Sequence, residues 1–213
     1  MTPPTARTPN IVVFDLGGVL AEISHTWEEA AACAGVTCAN LRSHSTKLAS
    51  LEAFDQYQAG KISLDEYLEA LAEFAGCPVE KALRVHNGIL VTEYPGVAAL
   101  VGEIQTLGLG TGCLSNTNEP HWEVLALNGQ YPTIHSLRMK MASHLVGINK
   151  PSPDIFNLYC ATFGLAAENI VFFDDYAVNV DAATACGWNA RRIDPSMDTP
   201  KQMRAYLRDL GVL

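Results

Sequence analysis

Three short apolar runs in this chain end in side chains able to do chemistry. Ile11-Val12-Val13-Phe14 meets Asp15 and then Gly17-Gly18, Gly112-Cys113-Leu114 meets Ser115-Asn116, and Ile170-Val171-Phe172-Phe173 meets Asp174-Asp175. A fourth segment, Gly147-Ile148-Asn149-Lys150-Pro151, places a lysine in a proline-stiffened loop. If these segments converge, three carboxylates, a hydroxyl and an ammonium surround one point. The acids repel one another unless a cation lies between them, and Mg²⁺ is held by one or two carboxylates together with substrate phosphate. Ser115 and nearby backbone N–H groups could then bond phosphate oxygens, and Lys150 supplies compact positive charge. Asp15 could attack phosphorus as a nucleophilic carboxylate. Gly17 and Gly18 would let the backbone turn tightly beside metal and phosphate. Taken singly, each residue has a plainer use: a turn aspartate, a helix-capping serine (Asn118 is the better cap) or a solvated lysine. Their order along the chain, each after a strand-like run or in a stiff loop, is what favours a site.

The runs themselves are short and rich in β-branched residues, as strands buried on both faces are. A further strand is expected at Ala190 to Ile193 and a weaker one around Ile134 to Leu137. Between them Val97, Leu100, Val101, Ile104 and Leu107 fall at helical spacing before Gly108. Ser152-Pro153 opens another helix that Gly164 closes, and Val178 to Cys186 is alanine-rich up to Gly187. Strands alternating with helices predict an α/β fold, a Rossmann-like parallel sheet with helices on both faces. Residues 21–94 break the rhythm, with no strand-like run. Helical patterns fit Trp27 to Ala34, Leu48 to Gln58, Leu64 to Ala75 behind a Ser63/Glu66 capping box, and Val79 to Val91. The expected organisation is a loose tail over 1–10, an α/β core over 11–20 and 95–213, and an inserted all-helical subdomain over 21–94. In that insertion Trp27, Phe54, Tyr57 and Tyr67 are expected to be core.

Composition narrows the class. Of 213 residues 48% are hydrophobic and 17% charged, which suits a well-filled core and not a disordered chain. The net charge of −9 leaves no basic field to track phosphates along a strand, so no nucleic-acid partner is expected. No apolar run approaches a membrane span, and the first ten residues carry no apolar signal core, so cytoplasmic residence is expected. Six scattered cysteines, without a Cys-x-x-Cys pair, read as buried free thiols. Six dispersed histidines show no metal spacing. Asp181 and Arg191-Arg192 read as surface charges.

Phe14-Asp15-Leu16-Gly17-Gly18-Val19-Leu20, Leu114-Ser115-Asn116-Thr117-Asn118, Lys150-Pro151 and Phe173-Asp174-Asp175 together resemble the four ordered motifs of the haloacid dehalogenase superfamily. The stretch Ser115 to Trp122 is similar to the branch that includes glucose-1-phosphate phosphatases, and the insertion matches that branch's small helical cap. The resemblance spans about residues 11 to 195. It implies a Mg²⁺-dependent phosphatase acting on a small phosphomonoester, most often a sugar phosphate, through an aspartyl-phosphate intermediate. It makes Asp15 nucleophile and metal ligand, and gives Lys150 the task of neutralising phosphate and holding Asp15. Gly17 through its carbonyl, Asp174 and Asp175 complete the metal site, with Asp175 the safer choice for direct contact. Ser115, Asn116 and Gly18 bind substrate, and Asn179 braces the Asp174-Asp175 loop.

One position departs from the pattern. Most phosphatases of the superfamily carry a second Asp two residues after the nucleophile as general acid and base; here that residue is Gly17. Losing such a group typically costs roughly 10²- to 10⁴-fold in rate; good leaving groups, such as an anomeric sugar phosphate or a nitrophenyl ester, need protonation least. Glu22 or His25 could substitute. Two alternatives follow: a catalytically silent binding protein of the same fold, and a metal-independent haloacid dehalogenase, which the paired acids Asp174-Asp175 disfavour. Substrate identity and oligomeric state stay open.

Overall fold

The computed structural model describes residues 8–41 and 46–213, among which seven strands and eleven α-helices frame the fold. Five strands form one all-parallel sheet in the order β5-β4-β1-β6-β7, with β1 Ile11–Phe14 at its centre. Its neighbours are β4 Gly110–Ser115 and β6 Ile170–Asp174. The outer strands are β5 Met139–Ala142 and β7 Asn189–Arg192. Alternation along β1 explains the layers. Val12 and Phe14 join Cys113, Val171 and Phe173 beneath helices α5 (Val97–Thr106) and α11 (Thr199–Asp209). Val13 joins Leu114 and Phe172 beneath α9 (Pro153–Phe163) and α10 (Ala177–Ala185). Both faces are covered, so the central strands read as continuous apolar runs.

Between β1 and β4 the chain builds α1 (Trp27–Cys33), α2 (Glu52–Gln58), α3 (Leu64–Ala75) and α4 (Val79–Asn87). These helices enclose a separate apolar cluster around Trp27, Phe54, Tyr67 and Leu71. Helix α3 starts at the Ser63/Glu66 capping box, both halves formed, and stops at Gly76 in the left-handed conformation. The expectation of no strand in 21–94 is corrected: β2 (Ala21–Ile23) and β3 (Leu90–Glu93) pair antiparallel at the two ends of the insertion. Three or four residues leave almost no period to detect, and Ile89-Leu90-Val91 continues the helical pattern of α4 beyond its end at Asn87. The pattern over Leu48 to Gln58 also divides, into a 3₁₀ turn at Leu48–Ser50 and α2, because Leu51 is extended.

The strand expected around Ile134 to Leu137 is corrected too. Pro132 opens a helical turn, α7 (Pro132–His135), and β5 begins later, where Met139-Lys140-Met141 mixes polar and apolar residues as an edge strand does. Two more short helices, α6 (Glu119–Trp122) and α8 (Ser143–Val146), follow β4 and β5. Asn118 caps α6 as expected, accepting from the His121 N–H. Residues 1–7 of the expected tail lie outside the described residues, whereas Asn10 is docked: its N–H donates to Asn169 O and its carbonyl accepts from Gly110. The cysteines are unpaired, but only Cys38 and Cys113 are buried and Cys33 is exposed. Arg192 is no idle surface charge, since its Nε donates to the Asp175 carbonyl at 3.1 Å. No helix among the described residues is long and apolar enough to cross a membrane.

The sheet has one point where nothing larger than glycine fits. A Cβ on Gly112 would collide with the Tyr159 hydroxyl and the Met139 carbonyl, two groups already hydrogen-bonded to each other at 2.8 Å. Gly112→Ala should therefore cost about 1–3 kcal/mol through overpacking, read as a lowered urea midpoint. Adding Tyr159→Phe should recover only part of that loss, because the Met139 carbonyl stays in place.

Candidate active site

β1 ends where the strand order reverses: the chain runs outward through β4 and β5, then returns to β6 on the other side. In open α/β sheets that switch point is where ligands bind, beyond the carboxyl ends of the strands. The Asp15 N–H donates to Phe173 O at 2.8 Å, which continues the β1–β6 register and sets Asp15 beside Asp174. Carboxylate oxygens of Asp15, Asp174 and Asp175 all lie within 4.8 Å of one another. Lys150 Nζ sits 3.0 Å from Asp15 Oδ1 and 2.6 Å from Asp174 Oδ2, and its side chain is fully buried. Three segments distant in sequence thus meet at one sheet edge.

Each carboxylate is held differently. Asp15 Oδ1 accepts from the Leu16 N–H at 2.7 Å as well as from Lys150. Asp174 is saturated: Asn179 Nδ2 reaches both its oxygens at 3.0 and 3.1 Å, and the Tyr176 N–H takes Oδ1 at 2.8 Å. Asp175 is held through its carbonyl by Arg192. Burial, then the charges of Asp15 and Asp174, push the Asp175 carboxyl up to about 8. Burial pushes Asp15 up to about 6, against the pull of Lys150. Burial alone would lower the Lys150 ammonium, but Asp15 and Asp174 outweigh it and hold it above its ordinary value. One lysine does not balance three acids, so the donor set fits a divalent cation bound by oxygen ligands.

The remaining expected residues fall into place around this point. Gly18 has φ +73°, and a Cβ there would lie 2.8 Å from the Asp175 carboxyl carbon, so both conformation and space require glycine. Ser115 is buried at the end of β4 and lines the cavity. Asn116 clamps Lys150: its Oδ1 accepts from the Lys150 N–H at 2.8 Å and its Nδ2 donates to the Lys150 carbonyl at 2.9 Å. Its side-chain amide is thereby engaged within the protein. Gly17 contributes backbone to the cavity, with Ile23 packed where a side chain would start: Ile23 Cδ1 lies 2.8 Å from an ideal Cβ. Glu22 and His25 are not among the lining residues.

A cavity of about 370 Å³ opens over these groups, within the size range of ligand sites. Its far wall comes from the insertion and the turn after β4, through residues the motifs do not mark: Phe54, Gln58, Ile89, His121 and Leu125. Phe54 belongs to the apolar cluster of the insertion and also faces the cavity. His121 lies within the Ser115–Trp122 stretch, the one signal that could have marked it.

The haloacid dehalogenase-like hydrolase family model matches residues 9–187. The chain belongs to that family. It is 25% identical over 196 residues to the sesquiterpene phosphatase astK of Aspergillus oryzae, covering 90% of this chain and 93% of that one. It is also 25% identical over 158 residues to phosphatase MT3486 of Mycobacterium tuberculosis, 70% of each chain. Among solved structures, a HAD family enzyme of Bacteroides thetaiotaomicron, in a magnesium complex, superposes with a TM-score of 0.76 at 21% identity. It covers 93% of this chain and is itself covered completely.

The insertion meets the core through a buried histidine pair. The His86 and His121 rings stack 4.0 Å apart, 2° from parallel. His121 Nε2 donates to the His86 carbonyl at 3.1 Å, which leaves Nδ1 to accept from Asn118 Nδ2 at 3.3 Å. His86 Nδ1 pairs with the Tyr67 hydroxyl at 3.0 Å. Burial pushes His121 down to about 4 and His86 down as well, His86 further by the facing ring. Both rings are therefore neutral in the fold. As pH falls below about 6.5 the unfolded chain takes up protons that the folded one refuses, so stability declines until His121 titrates near 4. Its share between pH 7 and 5 is about 2 kcal/mol. His121→Asn should shrink the stability difference between those pH values by about that amount in paired urea titrations.

Proposed function

We propose that this hydrolase is a Mg²⁺-dependent phosphomonoesterase acting on a small phosphorylated metabolite through an aspartyl phosphate on Asp15. One observation carries the proposal: a buried lysine bonded to two carboxylates, in a cluster of three acids, at the mouth of a cavity. The magnesium complex of the B. thetaiotaomicron enzyme and the names of the two phosphatase relatives support it. Asp15, Asp175 and the Gly17 carbonyl would hold the ion, with Asp174 adjoining but engaged by Lys150 and Asn179. Bound there, Mg²⁺ supplies positive charge to phosphate oxygens and offsets the repulsion among the acids.

The residues of the chain do the rest. Lys150 and the Leu16 N–H fix the plane of the Asp15 carboxylate, so that one of its oxygens meets phosphorus in line with the leaving alcohol. As that O–P bond forms, the bond to the leaving oxygen breaks and the alkoxide departs. Ser115 and the Asn116 N–H bond the phosphoryl oxygens while charge develops on them. Water then attacks phosphorus as the Asp15–phosphorus bond breaks, and one of its protons reaches the departed alkoxide through solvent; this restores the carboxylate and releases alcohol and phosphate. The helical insertion acts as a cap that keeps bulk water out during transfer. Asp174 holds Lys150 and is itself fixed by Asn179, a positioning role for both. A sugar phosphate is the substrate class that the Ser115–Trp122 resemblance implies, and six unpaired thiols suit a reducing, cytoplasmic setting. The silent-binder and dehalogenase alternatives gain no support from a fully assembled lysine–carboxylate site.

Purified protein with Mg²⁺ should release phosphate from p-nitrophenyl phosphate, and chelation by EDTA should abolish the release. Asp15→Asn should lower the rate by at least about 10³-fold while the protein stays folded; an active Asp15→Asn rejects the mechanism. The missing acid at Gly17 makes a second prediction. Without an acid over the leaving oxygen, phenyl phosphate should react far more slowly than p-nitrophenyl phosphate. Gly17→Asp, with Ile23→Ala to clear space for the new side chain, should narrow that ratio about tenfold or more. Ile23→Ala alone should leave the ratio unchanged.

A further inference from the structure

We infer that the site takes monophosphates of predominantly apolar alcohols, aryl or alkyl, in preference to polyol phosphates. The inference rests on the phosphatase proposal for the position of the phosphate, and deepens it by naming the leaving group. Beyond the carboxylates, the cavity walls are Ile23, Leu48, Phe54, Ile89, Leu90 and Leu125, and all six are buried or half-buried. Ile23 stands directly over Gly17, so the apolar surface begins beside the reacting carboxylate and not at a distant rim.

The polar groups on the same walls are mostly taken. Gln58 donates its Nε2 hydrogen to the Asn116 carbonyl at 3.2 Å. One carboxylate oxygen of Asp55 accepts from Asn149 at 2.8 Å. Both ring nitrogens of His121 are bonded within the protein. What remains on that side is one carboxylate oxygen of Asp55 and, on Gln58, the amide oxygen and one N–H, all on α2; the hydroxyls of Thr117 and Tyr176 complete the polar lining. A hexose presents four or more hydroxyls, each a donor and an acceptor, and a buried hydroxyl without a partner is strongly disfavoured. An apolar alcohol asks for none of these bonds and gains from leaving water. Charge limits the phosphate end as well. Among the described residues Lys150 is the one cation that lines the cavity, and Asp15 and Asp174 already neutralise it. A single phosphoryl group with its ion fits, whereas a second phosphate would meet no free positive charge.

Two measurements test the idea. In the first, kcat/KM is determined with Mg²⁺ for para-alkylphenyl phosphates from methyl to hexyl, whose leaving groups differ little in basicity, and for glucose 1-phosphate. The expected outcome is a rise of up to about fourfold per methylene until the cavity fills, with glucose 1-phosphate at least about a hundredfold below the best aryl ester. In the second, calorimetric titration of butyl to decyl phosphonates with Mg²⁺ should show the same gradient in Kd. Leu90→Gln and Leu48→Gln should each flatten both gradients, and either variant suffices if the other does not fold. Turnover with no chain-length gradient, or with glucose 1-phosphate preferred, overturns the inference and leaves the phosphatase proposal standing. A gradient in phosphonate affinity without hydrolysis of any ester keeps the inference and rejects the phosphatase proposal. Neither binding nor turnover rejects both.

Discussion

A lysine ammonium with no solvent exposure, bonded to two carboxylates, is the constraint around which the site is built. Leaving such a charge wholly unpaired in the interior costs several kcal/mol, so burying Lys150 requires that a carboxylate arrive with it, and Asp174 and Asp15 both do. The three come from the ends of two adjacent parallel strands and from a loop on the far side of β4. Asn116 locks that loop by trading two hydrogen bonds with the backbone of Lys150, which joins the end of β4 to the same point. Asp174 is fixed by Asn179 and the Tyr176 N–H from the following turn and helix. The electrostatic requirement and the topology are therefore one requirement: only a parallel sheet with β1 between β4 and β6 sets these residues side by side.

The balance is deliberately incomplete. Lys150 offsets one unit of charge in a cluster of three acids, and the excess appears as the raised carboxyls of Asp15 and Asp175. A site that needs a partner to become neutral selects cations and their anionic ligands as a pair, because each screens the other. Gly18 is the steric counterpart. Its left-handed backbone and the closeness of Asp175 bring main chain and carboxylate nearer than any side chain would permit, so the turn after β1 can offer its own backbone at the reacting centre.

Much of this was legible in the residues. Apolar runs halted by Asp15, Ser115 and Asp174 marked the strands and the edge where they end, because strands buried on both faces leave a continuous signal. Capping residues such as Ser63, Asn118 and Ser152 were equally plain, since each satisfies local N–H groups. The illegible parts are those set by tertiary pairing. β2 and β3 are too short to show a period and exist because the ends of the insertion lie together. The Ile134–Leu137 stretch is apolar for burial against α5, not for strand pairing, and Pro132 turns it helical. His121 looked like any dispersed histidine until a second helix supplied His86 as its stacking partner. The engagement of Asn116 with a residue 34 positions later, and of Arg192 with Asp175, could not be read from spacing at all.

Gly17 connects charge to selectivity. An aspartate at that position would add a fourth acid to a cluster in which Asp15 and Asp175 are already raised by burial and by neighbouring acids, deepening the dependence on a cation. Glycine avoids that repulsion and forgoes a proton donor, and the space above it goes to Ile23. A dry aliphatic group beside Asp15 strengthens each charged interaction by excluding water, and it also presents the leaving group with a surface that cannot hydrogen-bond. The absence of a general acid and the apolar wall thus have one structural origin. On the proposed mechanism they pull together on substrate choice, towards alcohols that leave readily and prefer hydrocarbon surroundings, for which aryl phosphates are the simplest chemical form.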